Sequence, residues 1–273
     1  MVVACTAPGD PLAQDGSYPG IAPSYVDGGD GTVTDLVTGL VWQKNPPDAS
    51  STWSQADAAC KALPLGPFSS GWRLPTRLEM VTISDYGMKL PAQPAAFFSV
   101  LFSGDDYWTS SAYVGSGGGH WGHNSHVGYS WFSTDTNPGV VYRCVHGALT
   151  GGAIVDLGPV SFFDPRTGLE WQKAFVDGQT WTEALDDCES STAGGKTDWR
   201  LPNIKELATM IDEGHVSPAA DPALFPGLLP TLVLYSSTPD VTTPGVIWTV
   251  EYIDGQWNSG NTADLPYGHR CVR

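Results

Sequence analysis

The chain predicts an α+β protein of two tandem domains, each with two helices and a small, mostly antiparallel sheet. Three observations predict it. A set of motifs recurs once at a nearly fixed distance, helical patterns precede strand patterns in each copy, and each copy carries one early and one late Cys. At 273 residues there is room for two cores of ordinary domain size.

The duplication is read directly. Asp35-Leu-Val-Thr-Gly-Leu-Val-Trp-Gln-Lys44 returns as Asp164-Pro-Arg-Thr-Gly-Leu-Glu-Trp-Gln-Lys173, Trp72-Arg-Leu-Pro75 as Trp199-Arg-Leu-Pro202, and Arg143-Cys-Val145 as Arg270-Cys-Val272. Trp53, Cys60 and Trp121 return as Trp181, Cys188 and Trp248, and the offset drifts only from 129 to 127. A period this long means a repeated domain rather than a solenoid. It sets a tail at 1–24, a first domain at 25–147, a linker at 148–154 and a second domain at 155–273.

Within each copy the first elements are strands joined by a tight turn. Asp35 to Gly39 and Asp164 to Gly168 have an Asx residue to start the turn and Gly to take the positive-φ position. Leu40 to Trp42 and Leu169 to Trp171 follow as strands. Helices come next, each opened by a capping box: Thr52 with Gln55, Thr180 with Glu183, Thr76 with Glu79, and Asn203 with Glu206. Trp53, Ala56, Cys60 and Leu63 share a stripe of the first helix, as do Trp181, Ala184 and Cys188 in its counterpart. Short strands are expected at Tyr107 to Ser111, Gly119 to Val127 and Val140 to Val145, and at Leu234 to Thr238, Val246 to Ile253 and Tyr267 to Val272. Helices followed by strands is an α+β pattern.

The cysteines follow the duplication. Setting Cys5 aside, two remain per copy, one in the first helix and one in the last strand. Four Cys allow three pairings. Matched positions favour Cys60 with Cys144 and Cys188 with Cys271; the other reading is buried free thiols in a cytosolic protein. Each bond would close a long loop, worth roughly 4 kcal/mol on the chain-entropy model.

Composition narrows the function classes. Net charge is −16, with 6 basic against 12 acidic residues up to Gly147 and 7 against 17 after it. No Lys/Arg cluster exists, so a phosphate backbone has nothing to bind, and nucleic acid is not an expected partner. Acidity serves solubility first, and calcium binding is the minority reading. No apolar run reaches the roughly 18 residues a transmembrane helix needs. Met1 to Cys5 resembles the end of a lipoprotein signal, which would make Cys5 a lipidated first residue; the other reading is a tail with a spare thiol.

Taken together, these residues resemble the bacterial Lcl C-terminal-like domain family, a domain of unknown function. The resemblance rests on Thr38-Gly39-Leu40 with Trp42; Trp53, Ala56 and Cys60; Trp72 to Pro75 with Glu79; Tyr107-Trp-Thr-Ser-Ser111; Trp121; and Arg143-Cys144-Val145. The second copy matches except that Trp108 becomes Tyr235 and Thr109 becomes Ser236. The resemblance implies a C-type-lectin-like fold, distantly similar to the formylglycine-generating, sulfatase-modifying family, and a secreted, periplasmic or surface location. Binding to sulfated polysaccharide, associated with the family, transfers poorly to a chain of this charge.

Candidate chemistry is sparse. Glu79 and Glu206 could be paired catalytic carboxylates, but their capping-box positions, with Arg73 and Arg200 nearby in the motif, explain both. Trp42, Trp53, Trp72 and Trp121 read as core anchors. Sulfatase-modifying catalysis needs free cysteines, and the four domain cysteines are already assigned to the clasps. No hydrolase or P-loop motif occurs. His120, His123 and His126 are the one metal-like cluster, in a Gly-rich strand-and-loop context that opposes a shared face, and no metal is assigned.

Ligand contact is expected in the loops before the last strand, where the copies diverge. The first carries His123, Asn124, Tyr129 and Trp131 beside His120; the second carries Glu251, Tyr252, Asp254, Trp257, Asn258 and Asn261. Aromatic rings beside amides and carboxylates suit a sugar. Trp257-Asn258-Ser259 partly resembles a lectin calcium motif but lacks its Asp. The expectation is a non-catalytic, exported or surface module recognising a glycan or a surface protein. A purely structural envelope or assembly protein is the alternative, and a sulfatase-modifying enzyme the more distant one.

Overall fold

A computed structural model describes residues 23–89, 91–99, 106–149, 151–225 and 228–273. Cys5 and its lipidation reading lie outside the described residues. The chain separates into two compact units between residues 150 and 151.

In the first unit, β1 (Tyr25–Asp27), β2 (Thr32–Asp35) and β3 (Val41–Gln43) form an antiparallel meander. The β2–β3 turn closes as the sequence predicts. Asp35 Oδ1 accepts the Val37 N–H at 2.9 Å, the Asp35 carbonyl accepts the Gly39 N–H at 2.8 Å, and Gly39 has φ +74°. Helix α1 (Trp53–Lys61), strand β4 (Trp72–Arg73) and helix α2 (Arg77–Thr82) follow. Strands β5 (Asp106–Ala112), β6 (His120–Asn124) and β7 (Ser130–Ser133) form a second antiparallel sheet in that order. The last strand, β8 (Val145–His146), returns between β3 and β4.

The second unit repeats the plan. Strands β9 (Val155–Asp156), β10 (Ser161–Asp164) and β11 (Leu169–Gln172) form the meander. Strand β12 (Val176–Gln179) then leads into helix α3 (Trp181–Ser190), and helix α4 (Ile204–Ala208) comes next. Strands β13 (Val233–Pro239), β14 (Val246–Glu251), β15 (Gln256–Thr262) and β16 (Tyr267–His269) complete a sheet ordered β12-β16-β13-β14-β15, in which only β13 and β16 run parallel.

Both disulfides are the intradomain ones, Cys60–Cys144 and Cys188–Cys271, each with Cα atoms 5.4 Å apart. All four capping boxes form. Each core is built on fully buried indoles, among them Trp42, Trp72, Trp108 and Trp121 in the first unit and Trp171 and Trp257 in the second.

Three expected strands differ. Gly119 to Val127 shortens to β6 because Asn124 Oδ1 accepts the His126 and Val127 N–H groups, an Asx turn that ends the ladder. Val140 to Val145 breaks into single bridges, Val140 to Ser51 and Val141 to Tyr107, before β8. There Cys144 joins the disulfide to Cys60 of α1, while Arg143 donates to the backbone carbonyls of Gln43, Lys44 and Ser99. Tyr267 to Val272 likewise stops at His269, and Val272 makes isolated bridges to Trp171 and Arg200. Strands β7 and β15 occupy stretches the sequence reading left as loops, and the short strands β1, β4, β9 and β12 were not expected either.

Candidate ligand-binding face

The repeated motifs turn out to be a hydrogen-bond frame reproduced in both domains. The Trp53 indole N–H donates to the Thr109 carbonyl at 2.8 Å, and Trp181 does the same to Ser236 at 2.8 Å. The hydroxyls of Thr109 and Ser236 donate to the carbonyls of Trp121 and Trp248, each at 2.7 Å. Ser111 Oγ accepts the Arg77 N–H and Thr238 Oγ1 the Ile204 N–H, each at 3.0 Å, so each third hydroxyl serves the first turn of the second helix. Glu79 accepts from the Arg73 guanidinium at 2.6 and 2.7 Å and from the Thr76 N–H at 2.7 Å, and Glu206 repeats the arrangement with Arg200 and Asn203. These carboxylates are structural, with their acceptor capacity filled by the cap and a bidentate partner.

The buried arginines complete the frame. Arg143 donates to the carbonyls of Gln43, Lys44 and Ser99 at 2.6 to 2.7 Å, and Arg270 to those of Gln172 and Lys173 at 2.9 and 2.8 Å. Burial pulls the Arg270 pKa down to about 10, still high enough for full charge at neutral pH.

Against this frame the expected ligand residues divide. Trp257, Tyr252 and His123 are buried, and Asn124 nearly so. Trp257 pairs with Val250 across β14 and β15 as a core side chain, so the expectation of a sugar platform at Trp257 and Tyr252 is corrected: both rings face inward. His123 lies on the inward face of β6 with Nε2 2.8 Å from Ser84 Oγ. His120 points the other way, stacked on Trp53 at 3.7 Å with Nδ1 2.7 Å from the Asp135 carboxylate. Strand alternation, not a shared site, sets the two histidines apart, and His126 follows in the turn.

The polar members of the second domain are already engaged. Asn258 donates to Glu251 at 2.8 Å, Asn261 donates to Thr249 Oγ1 at 2.7 Å and accepts from Tyr267 at 2.8 Å, and Asp254 accepts from Gln256 at 3.0 Å. A cation between Glu251 and Asn258 would have to replace that amide hydrogen bond. In the first domain Trp131 lies flat on Gly122: a Cβ there would stand 2.3 Å from the indole Cζ2. Its ring is 5.7 Å from Trp108, so half of it serves the core. Tyr129 is half-buried beside it in the turn that opens β7.

The face that the frame leaves over is one the sequence reading missed. Tyr113, just past β5, and Phe132 on β7 stack with centroids 3.7 Å apart and planes 9° from parallel. Both meet Trp121 edge-on, at 5.2 and 5.5 Å, and the Arg77 guanidinium sits 3.9 Å from the Trp121 ring centre. Tyr113 and Phe132 are half-buried, next to the Gly115–Gly119 loop. The N–H of Tyr113 donates to Gly119 at 2.9 Å, as that of Asp240 does to Val246 at 2.8 Å, which fixes the equivalence of the two domains. At the matching places the second domain has Asp240 and Ser259, and Ile204 in place of Arg77. Had Trp131-Phe132 been read as a strand with one ring per face, Phe132 would have been found.

A family model for the Lcl C-terminal domain matches the chain twice, at residues 31–146 and 161–273. The chain belongs to the Lcl C-terminal domain family. No curated protein matches it. The frame just described explains which residues the Lcl C-terminal domain repeats here: the Trp-Gln-Lys carbonyls are held by the Arg of Arg-Cys-Val, and the Arg of Trp-Arg-Leu-Pro is held by the capping Glu. Among the described residues, no helix is long and apolar enough to cross a membrane.

Proposed function

We propose that this protein is a non-catalytic module of the cell envelope or exterior, of the C-type-lectin kind, that binds a neutral glycan through the Tyr113–Phe132 face of its first domain. The observation that carries the reading is that stacked pair. It is half-exposed on a strand face, and the second domain builds the same frame with Asp240 and Ser259 in its place, so folding does not require it. Aromatic faces take up the C–H faces of sugar rings. Ser116, exposed in the adjoining Gly115–Gly119 loop, offers a hydroxyl of the kind sugars use. A charge of −16 opposes sulfated or other polyanionic chains at ordinary salt. Two intradomain disulfides support an oxidising, exported setting.

A glycan array probed with the native protein tests this, beside Tyr113→Ala and Phe132→Ala forms whose folding is checked by circular dichroism. Saturable binding to neutral glycans, weakened about tenfold by either change (a loss of about 1.4 kcal/mol), is expected. Absence of any glycan ligand, or equal binding by folded variants, would contradict it and favour an assembly role.

A further inference from the structure

We propose that the second domain holds a latent transition-metal site, Cys188, His269 and Cys271, which opens when its disulfide is reduced and for which zinc is the fitting ion. Cys188 lies on α3, His269 ends β16, and Cys271 follows two residues later on the same extended stretch. One ligand atom from each of the three lies within 4.8 Å of the others, and all three residues are buried. His269 Nε2 is 2.8 Å from the Asp187 carboxylate. That contact places the ring proton on Nε2 and leaves the lone pair on Nδ1. Nδ1 is buried and has no hydrogen-bond partner, in a residue only 1% exposed.

A buried imidazole nitrogen without a donor is unfavourable, and a bound ion would satisfy it. A carboxylate holding one nitrogen of a His that lies beside two sulfurs is the usual outer-shell arrangement of a zinc ligand. Two thiolates and an imidazole are the borderline-soft set zinc takes, and a water can fill the fourth position. The first domain is an internal control. Its clasp, Cys60–Cys144, has the same Cα spacing, but Tyr142 stands where the second domain has His269.

The redox step balances with a phosphine reductant. The S–S bond breaks, phosphorus is oxidised to the phosphine oxide with the oxygen of one water, and the two hydrogens of that water end on the sulfurs. A divalent ion then displaces both thiol protons to solvent and takes the two thiolates with the Nδ1 lone pair.

The full chain, reduced by the phosphine and titrated with cobalt(II) as a coloured stand-in for zinc, gives the test. One equivalent of cobalt per chain should produce a near-ultraviolet thiolate-to-cobalt charge-transfer band, removed by zinc and absent in the oxidised protein. His269→Tyr should weaken cobalt binding about tenfold or more. If reduction unfolds the second domain, added zinc should restore its circular dichroism in the wild type and not in His269→Tyr. No band and no zinc-driven refolding, or a band of equal affinity in His269→Tyr, would overturn the proposal.

Discussion

The Arg143 guanidinium donates to the carbonyl oxygen of Gln43 at 2.6 Å, across 100 residues of chain. With Lys44 and Ser99 it satisfies three backbone acceptors in the interior of the first domain, and Arg270 repeats the contact with Gln172 and Lys173. Arg143→Met should therefore cost about 3 kcal/mol or more, because acceptors are left buried without donors. Arg143→Lys should recover only part of that, since one ammonium cannot replace a planar fork. Urea unfolding of both variants is the check; a Lys form as stable as the wild type would mean that charge alone matters.

Gly122 lies under the Trp131 indole with no space for a side chain. Gly122→Val should push the ring outward, cost about 1–3 kcal/mol, and shift tryptophan emission to the red. An unchanged emission maximum with unchanged stability would contradict the packing described.

Most of the frame was legible in the sequence because it is written twice. Duplication located the cysteine pairs and the four capping boxes, and the paired readings of Glu79 and Glu206 stand on local chemistry alone. The proposed binding face was less legible for a physical reason. Trp257 and Tyr252 look like ligand aromatics in sequence, but an unrecognised strand, β15, turns Trp257 inward. Tyr113 and Phe132 are 19 positions apart and become one surface only through the register of β5, β6 and β7. The orphaned Nδ1 of His269 is likewise invisible until α3 brings Asp187 against β16.

Glu170 couples the second domain to pH. Burial of its carboxyl works upward, but hydrogen bonds from Lys196, Ser161 and Arg273 outweigh it and hold its pKa below the ordinary 4.5. A carboxylate depressed in the folded state gives stability that is present above its unfolded pKa and lost as pH falls through the folded value. Thermal unfolding should show the midpoint of the second domain falling below about pH 4.5, and Glu170→Gln, less stable near neutrality, should show a flatter fall. The first domain has Val41 at this place and makes no such contribution there. An equally steep acid loss in Glu170→Gln would show that other groups dominate.

The disulfides close loops of comparable length, with sequence separations of 84 and 83. Cys60→Ala with Cys144→Ala, or the matching pair in the second domain, should each cost about 4 kcal/mol to the domain concerned. Denaturant titration followed domain by domain measures this. A loss well under 1 kcal/mol would mean the cores alone carry the fold.

The most direct measurement of the account is a calorimetric titration of the native full chain with whichever neutral glycan binds it. One site per chain is predicted, weakened about tenfold in Tyr113→Ala and kept at full strength in a form carrying Asn258→Ala and Asn261→Ala. Two equivalents per chain, or loss of binding in the second-domain variant alone, would contradict it.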